Sequence, residues 1–165
     1  MDGQTPHAAC TADELVKAYY AAFLRSLPPD SPQAAAPWVA EAFGDSPALA
    51  DELAALVLEG RKTATCSAVC EWEAEGDWRP TVGLLTIVLD GRGTPLCIIE
   101  TTEVTYRRFD EVDAQFAYDE GEDDRSLSSW RTGHERYFTR VLPKLGKTFS
   151  PDLPLICERF RVLYR

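Results

Sequence analysis

Two adjacent cations and a row of small hydroxyls follow the end of a predicted helix in the stretch EGRKTATCSA. Arg61 and Lys62 come directly after Gly60, and Thr65 lies three residues beyond the lysine. A threonine hydroxyl is a weak nucleophile until a neighbouring base takes its proton. A lysine can be that base only where burial or a nearby cation lowers its pKa by several units, and Arg61 is a candidate source of part of that effect. The stretch therefore combines a candidate nucleophile with a candidate proton acceptor.

A third candidate for chemistry is Glu120, in the acidic run DEGEDD. A carboxylate beside Lys62 could orient the ammonium, position a water or protonate a departing nitrogen. The alternative interpretation is structural. Acidic runs are often solvated helix ends, an isolated lysine is often a surface residue, and threonines and serines at alternate positions, here Thr63, Thr65 and Ser67, are typical of the polar face of a strand.

Lys62 and Thr65 can share a pocket only if the backbone between them bends. Residues three apart in a regular strand face opposite sides of the sheet. We therefore expect a bend near Arg61, directly after the glycine that ends the helix.

Four ring-bearing residues could either line a pocket for a nucleobase or pack in the core. Stacking of a base on an aromatic side chain contributes about 1–3 kcal/mol. Rings at helical spacing more often hold a helix against its neighbours. The four are Trp38, Phe43, Trp130 and His134, and Arg61 and Thr63 are further candidates for substrate binding.

The distribution of charge indicates the class of partner. The 165-residue chain has a formal net charge of −10, with 8 Lys/Arg and 24 Asp/Glu in the first 124 residues and 9 Lys/Arg and 3 Asp/Glu in the rest. Binding to long nucleic acids depends on neutralising many phosphates, so this charge disfavours long duplex DNA. A small basic cleft can still act locally, because salt screens charges over about 8 Å. The charge therefore favours a small or short substrate over a long duplex, and we expect a monomer or weak homodimer.

Membrane and metal signals are weak in this sequence. No run of about 18 apolar residues occurs, which predicts no membrane span, and the N-terminus lacks the pattern of a secretory signal, so we expect a cytoplasmic protein. The five cysteines are scattered, and Cys66 and Cys70 have no second pair at zinc-ligand spacing. We expect reduced thiols, no metal and no cofactor.

Periodicity and capping residues predict the order of helices and strands. One helix begins after Thr11 and ends before Pro28, and a second, capped by Ser46, ends near Gly60. Residues 30–45 between them indicate a connection with at most one helical turn. The predicted strands cover 62–69, 83–90, 95–107 and 155–165. Two further helices are predicted over 109–121 and 126–146. This order is typical of one α+β domain, a small curved sheet or barrel flanked by helices.

Three segments in order resemble the ASCH domain family: GRKTAT after a helix, VGLLTIVLD, and FAYDEGEDDRSLSSWRTGHERYF. The pattern WVAEAFGDSPALADELAALVLEGRKTAT resembles a longer bacterial subgroup, and the resemblance runs from Trp38 to the C-terminus. We therefore expect an N-terminal helical extension over 1–37 and an ASCH domain over 38–165. The resemblance implies a small PUA-like β-barrel flanked by helices, with a cleft beside the first barrel strand.

The resemblance also implies a function that involves RNA or modified nucleosides, so we expect a small nucleoside or a short single-stranded RNA as partner. One branch of the family consists of N4-acetylcytidine amidohydrolases, whose motif pairs a lysine and a threonine in G-x-K-x-x-T with a glutamate in A-x-x-E. These positions fall on Lys62, Thr65 and Glu120. The resemblance thus implies a metal-independent amidohydrolase acting on N4-acylated cytidine. An RNA-binding module or a ribonuclease using the same cleft is the alternative.

Overall fold

Five strands form one sheet in the computed structural model, which describes residues 11–165. The strands are β1 (Trp38–Glu41), β2 (Ala64–Ala68), β3 (Leu85–Leu89), β4 (Pro95–Arg108) and β5 (Pro154–Tyr164). They lie in the order β1-β3-β4-β5-β2, with β1 parallel to β3 and the other pairs antiparallel. Residues 1–10, with Cys10 and the start of the predicted 1–37 extension, lie outside the described residues.

Helices flank this sheet. They are α1 (Ala12–Ser26), α2 (Pro47–Leu58), α3 (Val69–Ala74), α4 (Ala114–Glu120) and α5 (Leu127–Val141), with short 3-10 turns at Pro32–Ala35, Phe109–Glu111 and Leu142–Leu145. The caps predicted at Thr11 and Ser46 are confirmed, because each hydroxyl accepts a hydrogen bond from the amide three residues on, and Ser126 caps α5 in the same way. The predicted α+β class is confirmed as well. Of the helices between Thr11 and Arg165, none has both the length and the apolar character needed to cross a lipid bilayer.

The core consists of three clusters that place helices on the sheet. Val16 and Phe23 of α1 pack on apolar side chains of β3 and β4. Ala54 and Val57 of α2 pack with Phe160 of β5. The largest cluster joins the Ala64, Cys66 and Ala68 face of β2 to the rings of α4 and α5. Because β2 is an edge strand, the ends of α2 and α4 can both reach the residues that precede it.

Several elements differ from the sequence prediction. The helix predicted over 109–121 is a 3-10 turn followed by α4, and the helix predicted over 126–146 ends as α5 at Val141 before another 3-10 turn. Two further differences concern strands. The segment predicted as a connection contains strand β1, whose register pairs Trp38 with Leu85 in the parallel sense. The strand predicted over 62–69 is shorter, since it starts at Ala64 and α3 begins at Val69. Pairing with a distant strand fixes both boundaries, and local propensity does not reveal such pairing.

Candidate active site

The backbone bends sharply between α2 and β2, as the sequence predicted. Gly60 adopts a left-handed conformation with φ of 75°. The amides of Arg61 and Lys62 then both donate to the Leu56 carbonyl, each at 3.0 Å. A glycine at this position closes the helix because it adopts positive φ at little cost. The bend turns Lys62 inward before the strand begins.

The C-terminal end of α4 docks directly on this bend. The Thr63 amide donates to the Asp119 carbonyl at 2.8 Å, and the Thr63 hydroxyl donates to the same oxygen at 3.3 Å. Gly121, with φ of 75°, lies so close that a Cβ there would fall 2.7 Å from the Arg61 carbonyl carbon and 2.9 Å from the Lys62 nitrogen. The close approach at Gly121 therefore brings the end of α4, with Glu120, beside Lys62.

The Lys62 ammonium is buried between two carboxylates. Its Nζ lies 2.9 Å from Oε1 of Glu122 and 3.7 Å from Oε1 of Glu120, and the Lys62 and Glu120 side chains are each only 1% exposed. Burial lowers the pKa of Lys62, but the charges of Glu120 and Glu122 outweigh it and raise that pKa above its ordinary value.

The expected depression of the lysine pKa is therefore wrong. The dry surroundings are present, but the charges of Glu120 and Glu122 together keep the ammonium protonated. Arg61 is not among the groups that shift the pKa of Lys62, and its guanidinium donates a hydrogen bond to the Asp123 carbonyl.

Glu120 is held by donors on its other side. Its Oε2 accepts hydrogen bonds from the indole N–H of Trp130 and from Nε2 of His134, the latter at 2.8 Å. Burial raises the pKa of Glu120, but Lys62, His134 and the Trp130 hydrogen bond together lower it below its ordinary value. The carboxylate is therefore ionised at neutral pH.

The contacts of His134 assign its protonation. Its Nδ1 lies 2.9 Å from the Trp130 carbonyl, which can only accept, and its Nε2 faces the ionised Glu120. Both ring nitrogens must then be donors, which makes His134 an imidazolium. Burial lowers the pKa of His134, but the Glu120 charge outweighs that effect and raises it.

Cys66 borders the same cluster and was not among the predicted site residues. Its sulfur, a Glu120 oxygen and a His134 nitrogen lie within 4.8 Å of one another, close enough to share one cation. Burial first and Glu120 second raise the pKa of the thiol well above its usual range. With the Lys62 ammonium 3.7 Å from Glu120 and two N–H donors already on Oε2, we assign these groups to a hydrogen-bonded cluster.

Thr65 lies on the opposite face of β2 from Cys66. Along the chain described from Thr11 onward, its hydroxyl makes no hydrogen bond to Lys62, Glu120 or any other residue. Phe160 of β5 shares the Thr65 face and stacks on Phe43 at 6.2 Å between ring centroids. The Lys62 ammonium lies 5.5 Å from the Phe43 centroid. Phe43 thus contacts both the ammonium and a ring on the face that carries Thr65.

The rings predicted to line a pocket divide between site and core. Phe43 lies beside the ammonium, as described above. Trp130 and His134 stack on each other at 4.2 Å between centroids, and they position Glu120. Trp38 stacks on Tyr20 of α1, with 4.5 Å between ring centroids. It lies on β1, which is at the opposite end of the strand order from β2. The structure therefore brings three of the four rings to Lys62 and Glu120 and leaves Trp38 apart.

Two glutamates near the candidate residues were missed from the sequence. Glu122 follows Glu120 by two residues in the acidic run, and nothing local distinguishes it from its neighbours. Glu158 lies in the alternating strand CERFRV, with its side chain on the apolar parity set of Ile156 and Phe160. A charged residue at an inward position of a strand is the one signal that could have singled out Glu158.

Comparison with known proteins identifies the family. The ASCH domain family model matches residues 39–164. The crystal structure of an ASCH domain from Lactobacillus crispatus JV V101 superposes with a TM-score of 0.87, at 33% identity over 92% of this chain and 96% of that one. A protein from Enterococcus faecalis V583 superposes with a TM-score of 0.77, at 34% identity over 92% and 89% of the two chains. No curated protein matches the sequence. The sheet and its helices thus have the PUA-like fold, and the chain belongs to the ASCH domain family.

Proposed function

We propose that this ASCH-domain protein hydrolyses the amide of an N4-acylated cytidine nucleoside. The observation that supports this most strongly is the Lys62 ammonium, 1% exposed and 3.7 Å from the Glu120 carboxylate. Two of the three residues of the amidohydrolase motif therefore meet in a buried, charged site. The third, Thr65, lies on the strand that begins two residues after the lysine.

In this proposal Lys62 acts as a cation and hydrogen-bond donor. Attack on an amide carbonyl places negative charge on its oxygen, and a preorganised donor in a dry site stabilises that charge. The raised pKa of Lys62 suits this role, since the group stays protonated through neutral pH. It does not suit the role of general base that the sequence suggested.

Glu120 and His134 hold the ammonium in position. Glu120 is ionised and fixed by Trp130 and His134, so its charge faces Lys62 at a constant place. A positioned charge need not reorganise when the transition state forms, which is the source of most electrostatic catalysis. These residues are therefore positioning residues for Lys62.

Entry of a substrate requires Glu122 to move. Its carboxylate contacts the ammonium at 2.9 Å and its side chain is 28% exposed, so it lies between Lys62 and solvent. A substrate carbonyl that binds the ammonium replaces this contact. Phe43, 5.5 Å from Nζ, supplies an adjacent ring for the pyrimidine.

The alternative of an RNA-binding module has less support from this geometry. It needs a basic strip that includes Arg61 and Lys62 and faces solvent. Here Lys62 is buried between two carboxylates, and the Arg61 guanidinium is bound to the Asp123 carbonyl. The Lys62 ammonium is therefore not free to contact a phosphate, whereas a buried ammonium fits a small neutral amide.

The test is a panel of acylated nucleosides followed by chromatography. N4-acetylcytidine, N6-acetyladenosine and N4-acetylated cytidine within a short RNA are incubated with purified protein. We expect release of cytidine from the free nucleoside, with N6-acetyladenosine hydrolysed slowly or not at all. Failure to hydrolyse any member of the panel would reject the proposal.

A further inference from the structure

The register of β2 against β5 places Thr65 beside a glutamate that the motif does not contain. In this antiparallel pair Thr65 lies directly opposite Glu158, and Cys66 lies opposite Cys157. Directly opposed residues project to the same face, with Cβ atoms about 4.5–5.5 Å apart. The side chains of Thr65 and Glu158 are therefore neighbours, on the face turned away from Cys66.

Glu158 is a half-buried carboxyl group, and no cation among the residues from Thr11 onward pairs with it. Its Oε1 accepts a hydrogen bond from the Thr101 hydroxyl at 3.1 Å, and between Thr11 and Arg165 no other hydrogen bond or ion pair engages it. A structural glutamate at such a position is normally paired, as Glu120 is with Lys62 and His134. The second oxygen of Glu158 is thus free to accept a hydrogen from Thr65.

The charged neighbour of Glu158 is another acid. Burial first, and the charge of Glu41 at the end of β1 second, raise the pKa of Glu158 to about 7, against the smaller opposing effect of the Thr101 hydrogen bond. Burial first, and the charge of Glu75 beyond α3 second, raise the pKa of Glu41 in turn. A carboxyl group that titrates near neutrality can both accept and return a proton.

We infer that Glu158 is the general base that takes the proton of the Thr65 hydroxyl, so that this pair generates the nucleophile. This inference rests on the proposed amide hydrolysis and adds a catalytic residue to it. The nucleophile and its base come from neighbouring strands, and Lys62 at the strand edge is left to stabilise the oxyanion. The division of roles agrees with a protonated lysine and an ionisable glutamate.

The two steps of the reaction balance. Thr65 Oγ1 bonds to the acyl carbon as its proton passes to Glu158; the bond from carbon to N4 then breaks, and Glu158 returns the proton to N4. Cytidine leaves and an acyl ester remains on Thr65. A water then attacks the ester, gives its proton to Glu158, and the Thr65 oxygen leaves with that proton as the carboxylic acid forms.

The first test compares Glu158→Gln with wild type on N4-acetylcytidine across pH 5 to 9. Glutamine keeps the acceptor for Thr101 but cannot take a proton. We expect kcat to fall by about 100-fold or more, KM to change little, and the acidic limb near pH 7 to disappear. Glu103→Gln, an exposed carboxyl on β4 that pairs with Arg159, is the matched control and should behave as wild type.

A second variant distinguishes catalysis from a structural role. Glu41→Gln removes the negative charge beside Glu158, so the acidic limb should move to lower pH while turnover remains. Wild-type kcat and an unchanged pH profile in Glu158→Gln, beside loss of activity in Lys62→Met, would overturn this inference and leave the proposed function intact.

A substrate-independent measurement separates the two claims further. Wild type and Glu158→Gln are treated with p-nitrophenyl acetate, and acetylation of Thr65 is followed by peptide mass spectrometry. We expect Thr65 to be acetylated at least tenfold faster in wild type. Such labelling supports the Thr65–Glu158 pair even if no nucleoside is hydrolysed, whereas equal or absent labelling overturns it.

Discussion

The Lys62 ammonium lies 3.7 Å from the Glu120 carboxylate, although 58 residues separate them in the chain. The bend at Gly60 and the close approach at Gly121 bring them together. Glu122 completes the pairing at 2.9 Å. Two carboxylates, Glu120 buried and Glu122 partly exposed, surround one buried ammonium and keep it protonated, and the following expectations depend on that arrangement.

Replacing Lys62 by methionine should strongly destabilise the fold. Methionine matches the lysine stem in size but leaves Glu120 without one of its cations, and loss of one partner from a buried pair typically costs about 3–5 kcal/mol. Urea unfolding at pH 7 measures the change in the free energy of unfolding. Lys17→Met, which breaks an exposed pair with Asp13, should leave the curve unchanged. Equal curves for the two variants would contradict burial of Lys62.

The Glu120–His134 pair should make stability depend on pH in a defined window. The raised pKa of His134 stabilises the folded protein below pH 6.5, and this stabilisation is lost as the pH rises through the pKa of His134 in the folded state. The lowered pKa of Glu120 stabilises the folded protein above pH 4.5, and this stabilisation is lost as the pH falls towards the pKa of Glu120 in the folded state. The unfolding free energy of wild type should therefore exceed that of His134→Gln most between pH 4.5 and 6.5. A difference that stays constant up to pH 9 would show that the pair is not charged.

Glu158 should lower stability at alkaline pH. Its pKa rises from 4.5 to about 7 on folding, so the favourable protonated state is lost as pH rises through 7. That shift corresponds to about 3 kcal/mol. Glu158→Gln should then be more stable than wild type above pH 7 by up to that amount, and similar at pH 4. Chemical unfolding at both pH values tests this, and an identical difference at the two would exclude the raised pKa.

Gly121→Ala should destabilise the fold more than Gly146→Ala, a substitution at another glycine with positive φ. Both Gly121 and Gly146 have positive φ, and forcing alanine into that region costs about 1–2 kcal/mol. At Gly121 the added Cβ also meets the Arg61 and Lys62 backbone, whereas at Gly146 nothing lies within 4 Å. Thermal unfolding should show a larger loss for Gly121→Ala. Equal losses would mean that the end of α4 does not press on the bend.

Much of the fold could be predicted from the sequence because its signals are local. The caps at Thr11, Ser46 and Ser126, and the glycine that closes α2, act within one helical turn. Strand β1 was missed because its pairing partner Leu85 lies far along the chain. No local pattern encodes that contact.

The site could be predicted in part for the same reason. Lys62 and Glu120 came from a resemblance in motif order, and the bend between Gly60 and Thr65 came from strand geometry. The direction of the Lys62 pKa shift was wrong because the charges of Glu120 and of Glu122, one acid among several in an acidic run, together outweigh burial. Glu158 is opposite Thr65 only through the β2–β5 register, which residue types alone do not reveal.

The decisive measurement is the release of cytidine and acetate from N4-acetylcytidine by wild type, Lys62→Met and Lys17→Met, followed by chromatography. Wild type and Lys17→Met should release both products in equal amounts and at equal rates, and Lys62→Met should be slower by about 100-fold or more. No release by wild type, or a Lys62→Met rate equal to that of wild type, would show that the buried ammonium does not catalyse this reaction.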